Sequence, residues 1–270
     1  MSSRAARLIA TTAIAAALAL TLAACKTFSG PETTGSIAAS SMASAPQSEA
    51  DWRASLDSWG KRYRENPGDA SAAIGYARAL RATEQYSQAV AVLEQATMRN
   101  PQSMALLGAY GRALADTGQY AQALDALGKA HTPDNPDWRV LNAQGAVLDQ
   151  MGRHAEAQRQ YQAALKIVPG ESSVLSNLGL SYALTKQLKQ AEATLRQAAA
   201  DPRAREKVRQ NLALVVGLEG RFDEAERIAR ADLPQAEADA NVSYLRSMLA
   251  QQKDWQKPGR HLTIRPDAGT

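Results

Sequence analysis

Cysteine and histidine carry much of a protein's nucleophilic and metal-binding chemistry, and this 270-residue chain holds one cysteine, Cys25, and three histidines, His131, His154 and His261. No two of the four stand at a metal-ligand spacing, and a single thiol closes no internal disulfide. His131 precedes Pro133 and Pro136 in a stretch that reads as a solvated connection. His154 falls in an apolar periodic position, where a packing role is expected. No glycine-rich phosphate loop or nucleophile elbow is present, and acidic pairs such as Glu224 and Glu226 fit a solvated helix face. Four tryptophans could suggest an aromatic ligand box, but Trp52 and Trp59 suit a packed terminal helix. The residues therefore point to no enzyme, no metal and no bound cofactor.

What Cys25 can do is set by its surroundings. Met1 to Arg7 is a short basic start, and Leu8 to Ala24 is an almost unbroken apolar run ending in small residues. Seventeen residues is marginal for a membrane-spanning helix and suits a cleaved signal. Leu22-Ala23-Ala24-Cys25 resembles the bacterial lipobox, in which the thiol is lipidated and the chain is cut just before it. Residues 1–24 then form a removed signal peptide, and a covalent lipid on Cys25 is the only non-protein group expected. The alternative is a secretory signal that happens to end near a cysteine. By resemblance to sorted lipoproteins, Lys26 directs the anchor to the outer membrane, on its periplasmic side. Acyl chains contribute about 0.8 kcal/mol per buried methylene, enough for stable anchoring.

Removing residues 1–24 takes two arginines and no acid, leaving 29 basic against 27 acidic residues, a formal +2. So small an excess is no footprint for nucleic acid. From Cys25 to Ala50 the chain is rich in Ser, Thr, Ala, Gly and Pro, and it is expected to be a flexible tether. Its span averages roughly 25–30 Å.

The elements that would position any binding site come from a strict repeat. Ala89, Ala123, Ala157, Ala191 and Ala225 stand 34 residues apart, and Ala77, Gly111, Gly145, Gly179 and Ala213 keep the same period twelve places earlier. With position 1 at Ala70, Met104, Trp138, Ser172 and Glu206, the small residues occupy positions 8 and 20 and are expected to face one another where two helices cross. Helix A is apolar at positions 4, 7, 8 and 11, one buried stripe. Helix B carries Tyr86, Tyr120, His154, Leu188 and Phe222 at position 17, with alanine at position 27 in the first four units. Gly118, Gly152 and Gly220 supply turns, and Pro101 and Pro169 end helix B. Gln144 and Arg209 break the apolar pattern, as do Asn135 and Arg203 at position 32, and local looseness is expected there.

This pattern resembles the tetratricopeptide repeat family and implies an all-α solenoid of five helix–turn–helix units over 70–239. Half-repeat caps are expected at 51–69 and 240–252, and an irregular tail at 253–270. In that fold, positions 2, 5, 9, 12 and 13 of helix A line a concave face. Units one to three place Arg78, Arg81, Arg112, Asp116, Arg139, Asn142 and Asp149 there. Units four and five place Leu180, Leu184, Leu214 and Leu218, with Asn177 and Asn211 beside them at position 6. The expected groove is charged at one end and apolar at the other. It would grip an amphipathic peptide by its leucines and amides while Arg78, Arg112 and Arg139 orient the polar part. The alternative is that the closing helix, through Tyr244 and Met248, or the tail covers those leucines. The Lys/Asn arrangement of carboxylate-clamp repeats is not reproduced.

Asn211 to Pro234, NLALVVGLEGRFDEAERIARADLP, followed by Ala238 to Leu249, ADANVSYLRSML, resembles the end of the TadD family, lipoproteins encoded with the Flp pilus (tight adherence, Tad) secretion machinery. The resemblance implies a pilotin-like adaptor that helps assemble or place the pilus secretin or another component of that machinery. A lipoprotein scaffold for peptidoglycan enzymes is a second possibility, and an enzyme in its own right a third.

Overall fold

The computed structural model describes residues 48–202, 204 and 206–256, with side chains as far as Gln251. The signal segment, Cys25, most of the tether, Arg203, and His261 with the tail beyond Gln256 lie outside the described residues. The described chain is helical throughout: α1 (Glu49–Glu65), α2 (Ala70–Ala82), α3 (Tyr86–Arg99), α4 (Met104–Asp116), α5 (Tyr120–Gly128), α6 (Trp138–Gln150), α7 (His154–Ile167), α8 (Ser172–Leu184), α9 (Leu188–Ala199), α10 (Glu206–Leu218), α11 (Phe222–Ala229) and α12 (Gln235–Gln256).

Helix starts and stops follow the 34-residue register. Asp69, Ser103, Asp137 and Glu171 each cap a helix A, accepting a hydrogen bond from a backbone N–H of the first turn. The A-to-B turns are Schellman closures. The N–H groups of Gln85, Gln119, Arg153, Gln187 and Arg221 reach back to the carbonyls of Leu80, Leu114, Leu148, Tyr182 and Val216 at 2.8–3.2 Å. The residue before each closure has φ between +59° and +86°, and it is glycine in three units but Glu84 and Lys186 in the other two. A side chain there costs of order 1 kcal/mol, tolerated because the closure fixes the turn.

Positions 8, 20 and 24 make the core of each unit. All five position-20 alanines are fully buried. The side chain that fills the space left by position 8 comes from position 24, not position 20. A Cβ on Gly111, Gly145 or Gly179 would lie 2.6, 2.5 or 2.6 Å from Leu127, Tyr161 or Leu195, with the Ala123 carbonyl 3.1 Å away in the first case. The expected face-to-face pair is thus a three-way contact in which the large residue sits on the glycine. Alanines at position 27 are buried and receive the next unit.

Neighbouring helices A touch one another along the row, whereas the backbones of successive helices B stand farther apart, bridged in units four and five by side chains such as Arg196 and Glu224. The A row is therefore the shorter arc and forms the concave side. The expected loose spots among the described residues are held in place instead. The guanidinium of Arg209 grips both carboxylate oxygens of Asp232 and donates to the Ala204 carbonyl at 3.0 Å. Asn135 closes a turn on Thr132. Gln144 is buried within its helix pair.

The ends depart from the expected bounds. Helix α1 starts at Glu49 because Ser48 and Asp51 form a reciprocal capping box, so the tether gives way to structure before Ala50. Helix α12 starts at Gln235, just after Pro234, and runs on to Gln256, four residues into the expected tail. It packs through Ala238, Val242 and Leu245, while the side that would meet a further helix B carries exposed Ser243, Arg246, Ser247 and Ala250. That polar face ends the array. No helix among the described residues is long and apolar enough to cross a membrane.

Units four and five are joined on the helix-B side by ions. Glu192 pairs with Arg196 at 2.8 Å and with Arg221, which also meets Glu219 and Glu224. Burial pushes the Glu192 carboxyl up, but hydrogen bonds from Arg221 and Arg196 outweigh it and hold the pKa at about 2. A depressed carboxyl stabilises the fold above its unfolded value of 4.5 and loses that contribution as pH falls toward 2. The stabilities of wild type and Glu192→Gln, followed by urea unfolding from pH 6 to pH 2, should converge as the pH falls. In the central unit, Ala157→Leu should overpack the crossing and destabilise by roughly 1–3 kcal/mol. An unchanged melting curve would contradict the packing described for position 20.

Candidate peptide-binding groove

The inner wall is built from the A helices, and the expected site residues span it from α2 to α10 without converging on one pocket. At the first end, Arg81 reaches across to Asp116 of the next unit in a two-pronged ion pair, so its charge is satisfied within the wall. The Arg78 guanidinium lies 5.5 Å over the Trp52 ring, and that of Arg139 lies 4.5 Å over Trp138. Arg112 lies over Gly108: a Cβ there would come 3.6 Å from the Arg112 Nη1 and equally near Val140. The Nε of Arg139 is buried and meets no acceptor among the described residues.

The middle of the wall is an amide ladder. Asn177 donates from Nδ2 to Asn142 Oδ1 at 3.0 Å, and Asn211 donates from Nδ2 to Ser176 Oγ at 3.0 Å. Each bond spans 35 residues and ties position 6 of one unit to position 5 of the unit before. Both asparagines therefore serve inter-unit packing. The pairing leaves Asn142 its amide N–H group and Asn177 its carbonyl oxygen, a donor and an acceptor side by side.

At the far end Leu180, Leu184, Leu214 and Leu218 are all half-buried. The closing helix does not seal them through Tyr244, which is 57% exposed. Because Val242 and Leu245 are the residues that pack against the array, Tyr244 and Met248 fall at inner-wall positions 5 and 9 of a sixth helix A. They continue the apolar strip instead of covering it.

Asp149 turns out to be a structural hub that the sequence alone did not reveal. Its Oδ1 accepts from Ser181 Oγ at 2.9 Å and faces His154 Nδ1 at 2.8 Å, while Oδ2 accepts from Tyr161 Oη at 3.0 Å. Serine, histidine and aspartate thus meet, but in the wrong order for nucleophilic catalysis. The hydroxyl donates to the carboxylate and not to the imidazole, and Ser181 is fully buried. Burial raises the Asp149 pKa, opposed by the hydrogen bonds from His154, Ser181 and Tyr161. The constellation ties α6, α7 and α8 together across a unit boundary. Its only sequence signal was Asp149 and Ser181 in polar breaks of an otherwise apolar register. His154 keeps the packing role expected of it. His131 is half-buried in the connection after α5.

No group of three or more His, Cys, Asp or Glu among the described residues could hold a metal ion. A shallow depression lined by Leu107, Tyr110, Leu114, Asp125 and Lys129 lies between α4 and α5, apart from the residues of the inner wall described above.

Comparison with known proteins bears on the fold. One tetratricopeptide repeat model matches residues 61–111 and 80–145, and a second matches 142–205. No curated protein matches the chain significantly. PilW, described as a widely conserved type IV pilus biogenesis factor, superposes with a TM-score of 0.62 over 72% of this chain and 91% of its own, at 18% identity. PilF of Pseudomonas aeruginosa gives a TM-score of 0.54 over 69% of this chain and 89% of its own, at 22% identity. A chain of the APC/C hetero-tetramer Cut9–Hcn1 gives 0.62 over 76% of this chain at 15% identity, and this chain spans only 42% of that longer one. Identities this low speak to architecture alone. Repeat matches across residues 61–205, on five helix pairs in a single 34-residue register, place this chain in the tetratricopeptide repeat family, whose fold is typically a non-catalytic scaffold for protein–protein contacts.

Proposed function

We propose that this chain is a protein-binding adaptor of the bacterial envelope, held by a lipid on Cys25 at the periplasmic side of the outer membrane. There it assists assembly or placement of a pilus secretin, or of another component of a Flp/Tad machinery. The observation that carries the binding half of this reading is the leucine strip of α8 and α10, apolar surface that the described residues leave half-exposed. Support for the pilus half is the resemblance of residues 211–249 to the TadD family and the architectural likeness to PilW and PilF, one of which is described as a pilus biogenesis factor. Support for the anchor is the lipobox-like Leu22-Ala23-Ala24-Cys25 with its following polar stretch. The constellation around Asp149 is spent on packing, so a scaffold accounts for the residues better than an enzyme does.

Deleting the gene should lower both surface pili and secretin multimers, and normal levels of both would defeat the pilus reading. In the intact protein, Leu184→Asp with Leu218→Asp should abolish partner capture in pull-downs while leaving the helical circular dichroism signal unchanged. Undiminished capture by the folded variant would remove the groove from the mechanism.

A further inference from the structure

We infer that the array is two stiff bodies joined by a hinge at the boundary between units two and three. The first body is α1 to α5 and the second is α6 to α12, and the angle between them sets how far the concave wall opens. The hinge is a property of the array itself, whichever partner the wall binds.

The other boundaries are each crossed by directional bonds. Tyr63 of α1 donates to Gln95 of unit one at 2.5 Å, and Arg81 of unit one holds Asp116 of unit two with two nitrogens. Between units three and four, Asn177 donates to Asn142 at 3.0 Å and Ser181 to Asp149 at 2.9 Å. On the helix-B side of that boundary Gln162 donates to the Tyr182 hydroxyl at 3.3 Å. Units four and five are joined by Asn211 on Ser176 at 3.0 Å and Arg196 on Glu224 at 2.6 Å. Unit five is joined to α12 by Arg230 on Asp239 at 2.9 Å.

Between units two and three the equivalent positions carry side chains that cannot make these bonds. Where the fourth boundary has Asn142 and Asn177, this one has Gly108 and Ala143. Asp149 and Ser181 are replaced by Ala115 and Val147, and Gln162 and Tyr182 by Gly128 and Leu148. Arg81 and Asp116 are replaced by Ala115 and Gln150. What packs here is apolar: Val140 and Val147 share a cluster with Leu114, Leu127 and Ala130, and Leu124 reaches into the cores on both sides. Arg112 also stands at this boundary, beside Gly108 and Val140, and a single long side chain can follow a change of angle. Apolar contact has no preferred direction, whereas a hydrogen bond weakens steeply as its angle closes. A small tilt here slides side chains past one another, and the same tilt at the other boundaries strains the bonds named above.

The backbone agrees. Helix α5 has 9 residues, against 14 in α3 and in α7. Its link to α6 covers residues 129–137 and contains Pro133 and Pro136, whereas the links before α4 and α8 cover only 100–103 and 168–171. The turn at the centre of the long link closes on itself, Asn135 on Thr132. A yielding link and an apolar joint between two internally fastened bodies is the arrangement from which hinge motion arises.

Position 22 is exposed in each unit and in α1, as Asp57, Ala91, Asp125, Arg159, Ala193 and Arg227. Nitroxide labels on cysteines placed there, in the full chain carrying Cys25→Ser, give pairs that are all two units apart. Electron–electron double resonance should show distance distributions about twofold broader for 91–159 and 125–193, which cross the hinge, than for 57–125 and 159–227, which do not. Ala115→Arg with Gln150→Asp copies the Arg81–Asp116 pair onto the boundary and should narrow the crossing distributions to the width of the others. Gly108→Asn with Ala143→Asn copies the Asn142–Asn177 pair and asks the same question should the first variant lose its helical circular dichroism signal. Equal widths for crossing and non-crossing pairs would overturn the inference. So would crossing distributions that stay broad in a folded variant carrying either grafted pair.

Discussion

The close seat of a position-24 side chain on a glycine or alanine at position 8 is the contact on which the rest of this molecule depends. Leu127 on Gly111, Tyr161 on Gly145 and Leu195 on Gly179 leave no room for a Cβ, so each pair of helices can cross only at one depth and in one register. The fully buried alanine at position 20 holds the same crossing from the other side. Repeating one crossing every 34 residues stacks the pairs in a row, and the alanine at position 27 sets how near the next pair comes. Because the backbones of the helices A then approach one another along the row and those of the helices B do not, curvature and a concave wall follow without further instruction.

Interactions between units are of a different kind. Where the core of each pair is apolar and small, the boundaries are fastened by polar groups: Asn177 to Asn142, Asn211 to Ser176, Asp149 to Ser181, and Glu192 to Arg221. A buried carboxylate is costly unless it is hydrogen-bonded, and both Asp149 and Glu192 have several partners. These fastenings use up most groups that might otherwise have done chemistry. What is left over on the inner wall among the described residues is a stacked, incompletely satisfied Arg139, a half-used amide pair and a half-buried apolar strip. Such a remainder suits recognition of another chain.

The closing helix shows how an array can end and still extend its working surface. Its outward face is Ser243, Arg246, Ser247 and Ala250, which needs no further helix, while its inner face adds Tyr244 and Met248 to the leucines of α8 and α10. One element therefore serves as lid for the core and as wall for the groove.

Much of the architecture was legible in the residues because small side chains at a fixed period have one packing use. The starts of α2, α4, α6, α8 and α10, and of α3, α5, α7, α9 and α11, fall on the register read from alanine and glycine alone. Turn glycines at Gly118, Gly152 and Gly220 were readable for the same reason, since φ near +80° leaves few alternatives. Glu84 and Lys186 were not, because a closure bond can force an ordinary residue into that conformation. Sequence by itself determined the repeat and the helix pairs. Only the tertiary structure decided that Asn177 and Asn211 are fastened to the preceding unit, that Arg209 is gripped by Asp232, that Asp149 gathers a serine, a histidine and a tyrosine, and that Tyr244 stands open. The division has a physical cause. Backbone geometry and burial act over one helical turn or one repeat and leave a periodic trace, whereas a hydrogen bond between two units depends on where two side chains meet in space.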